Sequence, residues 1–165
     1  MKNNFANFVL FSLGSNIGNK SDKIIEAIEV FEFADVLHNI KISSFYESEP
    51  FGEKEQDWFV NIAISGYTDH SPDFLLGMLK NIEYLLGRKI RNRWREREID
   101  IDILLYDDLI YSTKYLTIPH PQMHLRRFVL FPACEIAPEV IHPIFQIPIK
   151  KMLENCTDNS IVRKI

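Results

Sequence analysis

The amino-acid sequence predicts an α+β fold: a ferredoxin-like βαββαβ core whose sheet is mainly antiparallel. Two observations carry this. Segments of strand and helix composition follow one another as strand, helix, strand, strand, helix, strand. The two middle strands are joined by a loop rather than a helix, the connection that antiparallel neighbours take. The length, 165 residues, suits one domain over 1–165 with enough chain to bury a sizeable core.

The elements can be justified in order. Phe8 to Leu13 has strand composition and runs into the turn formers Gly14-Ser15-Asn16 and Gly18, to which no chemistry is assigned. Asn19 or Ser21 can cap a helix that carries Ile24, Ile28 and Phe31 at helical spacing. Lys41 to Tyr46 is strand-like. Glu47 to Asp57, with Pro50, Gly52 and five acidic residues, reads as an exposed and mobile loop. Trp58 to Tyr67 returns to strand composition. Ser71-Pro72 is a cap followed by an N1 proline, and Leu75, Leu79, Ile82 and Leu86 form one apolar stripe that ends near Gly87. A basic run and an Ile/Asp strand follow. Leu116 to Met123 contains two prolines and reads as extended or loop. Helices are expected over 126–136 and 149–155.

The composition excludes several classes. Residues are 46% apolar and 25% charged, as in ordinary globular proteins. A net charge of −4 argues against general binding to nucleic acid or anionic membrane. Cys134 and Cys156 have no metal spacing and read as reduced thiols of a cytoplasmic protein. No stretch reaches membrane length, and the N-terminal apolar run is too short for a signal peptide. Against this acidic background, Arg88, Lys89, Arg91, Arg93, Arg95 and Arg97 place six of nineteen basic residues within ten positions. A focal basic patch suits a compact polyanion such as a nucleoside triphosphate.

The basic run leads directly into EREIDIDILLYDD, where Ile99, Ile101 and Ile103 alternate with Asp100 and Asp102. A strand alternates its faces, so the two carboxylates share one face with origins roughly 7 Å apart. Like charges at that spacing repel unless a cation sits between them. Mg²⁺, which uses one or two carboxylates plus substrate phosphate, fits such a pair. A half-buried strand with a polar outer face would also account for a lone D-x-D. The neighbouring arginines favour the chemical reading, because guanidinium forks bind phosphate oxygens bidentately and stay charged. Metal plus arginines is the equipment of phosphoryl transfer. No P-loop and no protein-kinase motif set occurs.

The segments FSLGSNIGN, SSFYESEPFG followed by QDWFVNIAI, IEYLLGRKIRNRWREREIDIDILLYDD and LTIPHPQMHLRRFVLFPACEIAPEVIHP resemble the hydroxymethyldihydropterin pyrophosphokinase family of the folate pathway. The resemblance runs from about residue 8 to 145, in the family's order, and is most specific at RWREREIDID and LTIPH. It implies a ferredoxin-like α/β/α sandwich that transfers pyrophosphate from ATP to a pterin hydroxymethyl group. It also implies two Mg²⁺ ions bridged by Asp100 and Asp102. Arg88, Arg93 and Arg97 fall on the family's loop arginines, and Trp94 on its loop tryptophan. Glu83, His120 and Arg126 match positions at the ATP site. Asn61 would hydrogen-bond the pterin, Phe59 and Phe128 would stack on its faces, and Ser48 and Phe51 would line the pocket mostly through backbone.

The chain departs from the family in four places. Arg95-Glu96 stands where Gly-Pro is usual after the tryptophan, and the stretch between Gly87 and Trp94 is one residue short, so Lys89 or Arg91 could fill the second arginine role. Pro121 follows His120, and Phe59 stands where a tyrosine is frequent. Expected partners are ATP and hydroxymethyldihydropterin, with no nucleic acid or membrane partner and a monomeric state. The alternatives are a ferredoxin-like RNA-binding module, against which the absence of an RNP1 pattern speaks, and a Mg-dependent phosphohydrolase, which would turn over ATP without pterin.

Overall fold

A computed structural model of the chain describes residues 6–51, 55–89 and 96–165. Strand β1 (Asn7–Ser15) is followed by helix α1 (Lys20–Phe33), strands β2 (His38–Ile42), β3 (Tyr46–Ser48) and β4 (Phe59–Thr68), helix α2 (Pro72–Leu85) and strand β5 (Asp100–Tyr106). Beyond this core come the short strands β6 (Tyr111–Ser112) and β7 (Thr117–Ile118), a 3-10 turn (Met123–Leu125), helices α3 (Arg127–Ile136) and α4 (Ile149–Asn155), and a final strand β8 (Val162–Lys164).

The main sheet runs β5-β1-β4-β3-β8, with β2 also on β4 and every pairing antiparallel. Because β2 and β3 pair with successive parts of β4, they stand together as the second strand of the ferredoxin-like core. The single strand expected over 41–46 is therefore two, with a break between Ile42 and Tyr46. Glu47 and Ser48, expected in a loop, belong to β3, and β1 continues through Gly14 and Ser15.

Strand alternation sorts the core into two layers. Val9, Phe11 and Leu13 of β1, Ile62 and Ile64 of β4, and Ile101 and Ile103 of β5 pack against Ile24, Ala27 and Phe31 of α1 and Leu75, Leu79 and Ile82 of α2. On the opposite face, Leu10, Ala63, Leu104 and Leu105 meet Val129, Leu130 and Ala133 of α3 and Ile149 and Met152 of α4. An irregularity of register opposite Leu10/Phe11 turns both Leu104 and Leu105 to that face. The result is an α/β/α sandwich.

Local chemistry sets the helix ends. Ser71 Oγ accepts from the Phe74 N–H at 3.3 Å, Pro72 opens α2, and Gly87 closes it at φ +87°. Glu135 of α3 accepts from Tyr46 OH at 2.7 Å and from Ser44 Oγ at 2.8 Å, pinning β3 against α3. Desolvation, helped by this carboxylate, pushes the Tyr46 phenol up to about 12.

Candidate active site

Ser12 and Gly14 of β1, Phe59 and Asn61 of β4, and Asp100 and Asp102 of β5 line one cleft beside the start of α3. Register makes them neighbours: Ser12 stands opposite Asp102, while Gly14 stands opposite Asp100 on one side and Asn61 on the other. The same alternation that sends Leu13, Ile62 and Ile101 into the core turns these residues to the cleft.

The two aspartates have different surroundings. Asp100 is held by Arg88 Nη1 at 2.8 Å on Oδ1 and by Arg97 Nη1 on Oδ2. Asp102 faces His120 Nε2 at 3.8 Å. Desolvation on the cleft floor, then the like charge of Asp100, pushes the Asp102 carboxyl up to about 6. Burial, then the nearby Arg126 charge, lowers His120 to about 4, so its ring is neutral at pH 7 and the 3.8 Å approach is not an ion pair. Since His120 Nδ1 accepts from the Gln122 N–H at 3.2 Å, the ring proton belongs on Nε2. Asp102 thus offers a carboxylate with no ion pair of its own beside a second one, with the charges of Lys80 and Arg126 only partly offsetting its burial and Asp100. Among the described residues no group of three or more metal-ligating side chains gathers. The donor set accordingly suits a hard cation that takes its remaining oxygens from a substrate, as Mg²⁺ does.

At the other end, the buried Asn61 donates through Nδ2 to Ser48 Oγ at 2.8 Å. This leaves Oδ1 over Gly14, where a Cβ would lie only 2.9 Å away. The Ser48 side chain thus fixes the orientation of the Asn61 amide. Phe51 and Phe128 approach with ring centroids 6.3 Å apart, and the Arg126 guanidinium lies over both rings at 5.7 and 5.8 Å. Phe59 lines the same cleft.

The structure brings Ser48, Phe51, Phe59, Asn61, Arg97, Asp100, Asp102, Arg126 and Phe128 together around one opening. Arg88 joins them through Asp100 and His120 through Asp102. Glu83 does not line the cleft. It is buried behind Arg88, with which it pairs, and its Oε1 accepts from the Ile101 N–H at 2.8 Å. Arg93 and Trp94, with Arg91, lie outside the described residues. Asn16, given no role in the sequence reading, is 1% exposed and hydrogen-bonded to Arg97, Gln56 and Asp57. Its signal was only a small polar triplet closing a buried strand. Ser12 and Gly14 were likewise given no role, because the strand was expected to end at Leu13 with Gly14 in a turn, whereas β1 runs on to Ser15.

Paired carboxylates and arginines at one end of a cleft, with a buried amide and aromatic rings at the other, are the equipment that a transferase acting on a polyphosphate and a flat heterocycle would need. Comparison narrows the class: residues 10–138 match the family model of 7,8-dihydro-6-hydroxymethylpterin-pyrophosphokinase, and the chain belongs to that family. It is 44% identical over 143 residues to the 2-amino-4-hydroxy-6-hydroxymethyldihydropteridine pyrophosphokinase of Aquifex aeolicus, covering 87% of this chain and 88% of that one. The enzyme of the same name from Haemophilus influenzae is 37% identical, covering 92% and 94%. Among solved structures, wild-type Plasmodium falciparum HPPK-DHPS has a similar fold, with a TM-score of 0.71 at 17% identity over 94% of this chain. An HPPK-DHPS in complex with substrates gives 0.72 at 16% identity over 92%. This chain spans 45% and 43% of those two proteins.

Proposed function

We propose that this cleft transfers pyrophosphate from ATP to the hydroxymethyl group of 6-hydroxymethyl-7,8-dihydropterin, giving AMP and the pterin diphosphate. As a member of its family the chain is an ATP-dependent pyrophosphokinase of folate biosynthesis. The observation that carries the assignment to this site is the Asp100–Asp102 pair, with Arg88 and Arg97 already bonded to Asp100. Neither the RNA-binding reading nor the phosphohydrolase reading gains support from the family.

Asn61, fixed by Ser48, reads the amide edge of the pterin, while Phe59 and Phe128 hold its ring faces and Phe51 closes the pocket side. Arg88 and Arg97 exchange Asp100 for phosphate oxygens when nucleotide enters, so charge on the transferred group meets preorganised donors. His120 offers its Nε2 proton, and Arg126 its charge, to the nucleotide. Glu83 supports this end by holding Arg88 and the start of β5. Arg93 and Trp94 are read as nucleotide contacts on the family resemblance alone. Asp100 and Asp102 would hold Mg²⁺, read as two ions, which when bound offsets phosphate charge and acidifies the attacking hydroxyl. We further read residues 1–165 as one domain of a cytoplasmic monomer without nucleic-acid or membrane partners. The net charge of −4 speaks against general binding to nucleic acid or anionic membrane; among the described residues no helix is long and apolar enough to cross a membrane.

Chromatography of nucleotide products tests the reaction. With protein, Mg²⁺ and ATP, AMP should form only when hydroxymethyldihydropterin is present. ADP, or turnover without pterin, would overturn the assignment. Asp100→Ala and Asp102→Ala should each abolish AMP formation in a folded protein.

A further inference from the structure

We infer that Asn16 is a positioning residue that joins the pterin side of the cleft to the nucleotide side, so that ordering one favours ordering the other. The inference rests on the proposed reading of the two ends of the cleft. Asn16 lies just beyond β1 and is 1% exposed. Its N–H donates to the Arg97 carbonyl at 3.1 Å, and its Oδ1 accepts from the Arg97 N–H at 2.8 Å. Two bonds thus clamp the main chain of residue 97 while leaving its guanidinium to Asp100. On the other side, Asn16 Nδ2 donates to Gln56 Oε1 at 3.0 Å and to the Asp57 carbonyl at 3.2 Å.

The side chain therefore bonds to two segments that come together only in the fold: Gln56 and Asp57, which lead into Phe59, and Arg97, which leads into Asp100. Gln56 and Arg97 both line the cleft. Few side chains can replace this amide. Aspartate has no N–H to give Gln56 and Asp57, alanine has neither group, and serine is too short to reach both sides. Burial makes the network demanding, because a buried donor or acceptor left without its partner is costly. A nucleotide that draws the Arg97 side chain from Asp100 acts on a main chain that Asn16 ties to Gln56 and Asp57. By linkage, pterin held beside Gln56 acts back on Arg97 to the same degree.

Calorimetric titration of 6-hydroxymethylpterin, with and without the Mg²⁺ complex of α,β-methylene-ATP, gives a coupling factor as the ratio of the two pterin Kd values. The wild-type factor should be about tenfold or more. In Asn16→Ala it should fall to about a third of the wild-type value or less. Gln56→Ala, which leaves the Asn16–Arg97 clamp intact, should lower it similarly, and the double variant should go no lower than Asn16→Ala alone. Gln56→Ala also serves if Asn16→Ala does not fold. A purely structural role would lower the melting temperature and leave the ratio unchanged. An unchanged ratio in a folded variant, or no coupling in the wild type, overturns the inference. Failure of the wild type to bind pterin at all would instead overturn the reading of the cleft.

Discussion

Asn61 stands directly across from Gly14 in the β1–β4 pairing, with its Oδ1 2.9 Å from the point where a Cβ on Gly14 would be. The glycine is thus a space requirement for the amide. Asn61 cannot retreat without losing its 2.8 Å bond to Ser48 Oγ in a buried setting. Gly14→Ala should displace the amide and raise the KM for pterin about tenfold, the cost of roughly one buried hydrogen bond. The KM for ATP should stay within about threefold. Steady-state kinetics with each substrate varied in turn would check the split.

Asp102 sets a pH dependence. Its carboxyl, pushed up to about 6 first by desolvation and then by Asp100, is protonated in the folded protein at pH values where an unfolded chain has already ionised it. Its contribution to metal-free stability is therefore favourable at low pH and is lost as pH rises through about 6. As a proposed Mg²⁺ ligand Asp102 would have to give up the same proton, so metal affinity should fall as pH drops below about 6, by up to about tenfold per unit. Calorimetry of Mg²⁺–nucleotide binding across pH 5 to 8 would show the slope, and Asp102→Asn should remove it.

Arg97 holds Asp100 before any nucleotide arrives and is proposed to meet phosphate afterwards. Arg97→Ala should reduce kcat at least about a hundredfold, in keeping with arginines that stabilise transferring phosphate. Pterin affinity should change less than about threefold, since the Asn16 clamp uses only the main chain of residue 97. Arg97→Lys should recover little, because a point charge does not reproduce the fork. Single-turnover kinetics beside a binding titration would separate the two effects.

Glu83 is 2% exposed and pairs with Arg88 while accepting the Ile101 N–H. Glu83→Gln keeps an acceptor for that N–H but leaves Arg88 with one carboxylate fewer. Urea unfolding should show a loss of about 1 to 2 kcal/mol, less than for an isolated buried pair because Arg88 keeps Asp100 and Lys80, the other partner of Glu83, is exposed. Glu83→Ala should lose more, because the β5 N–H is then unpaired as well. Equal midpoints for wild type and Glu83→Gln would show that Glu83 does not support Arg88 in this way.

Much of this architecture was legible in residue order. The Ser71-Pro72 start and the 75/79/82 stripe define α2, and the expected helix over 149–155 coincides with α4. The Ile/Asp alternation put Asp100 and Asp102 on one face, where the structure has them. Other features left no local trace. Val162–Lys164 carries an ordinary mixed composition and becomes a strand only because β3 offers it an edge, where Arg163 also meets Glu47 at 2.6 Å. The break between Ile42 and Tyr46 is equally silent in composition: Ser43 and Ser44 leave the strand to bond Ala63 and Glu135. Glu83 sits within an amphipathic helix and looks like a surface glutamate until β5 is laid against it.

By itself the sequence determined the periods, and with them which side chains share a face, where helices begin and end, and what chemistry each face can offer. Those properties depend on neighbours a few residues away, through strand alternation and the helical repeat. Only the tertiary structure decided that Gly14 must make room for Asn61, that Glu83 stands behind Arg88, and that Asn16 ties Gln56 to Arg97. Most of these contacts join residues tens of positions apart, and the geometry of all of them is set by sheet register and burial. No local pattern encodes a hydrogen bond that exists only once the chain has closed around it.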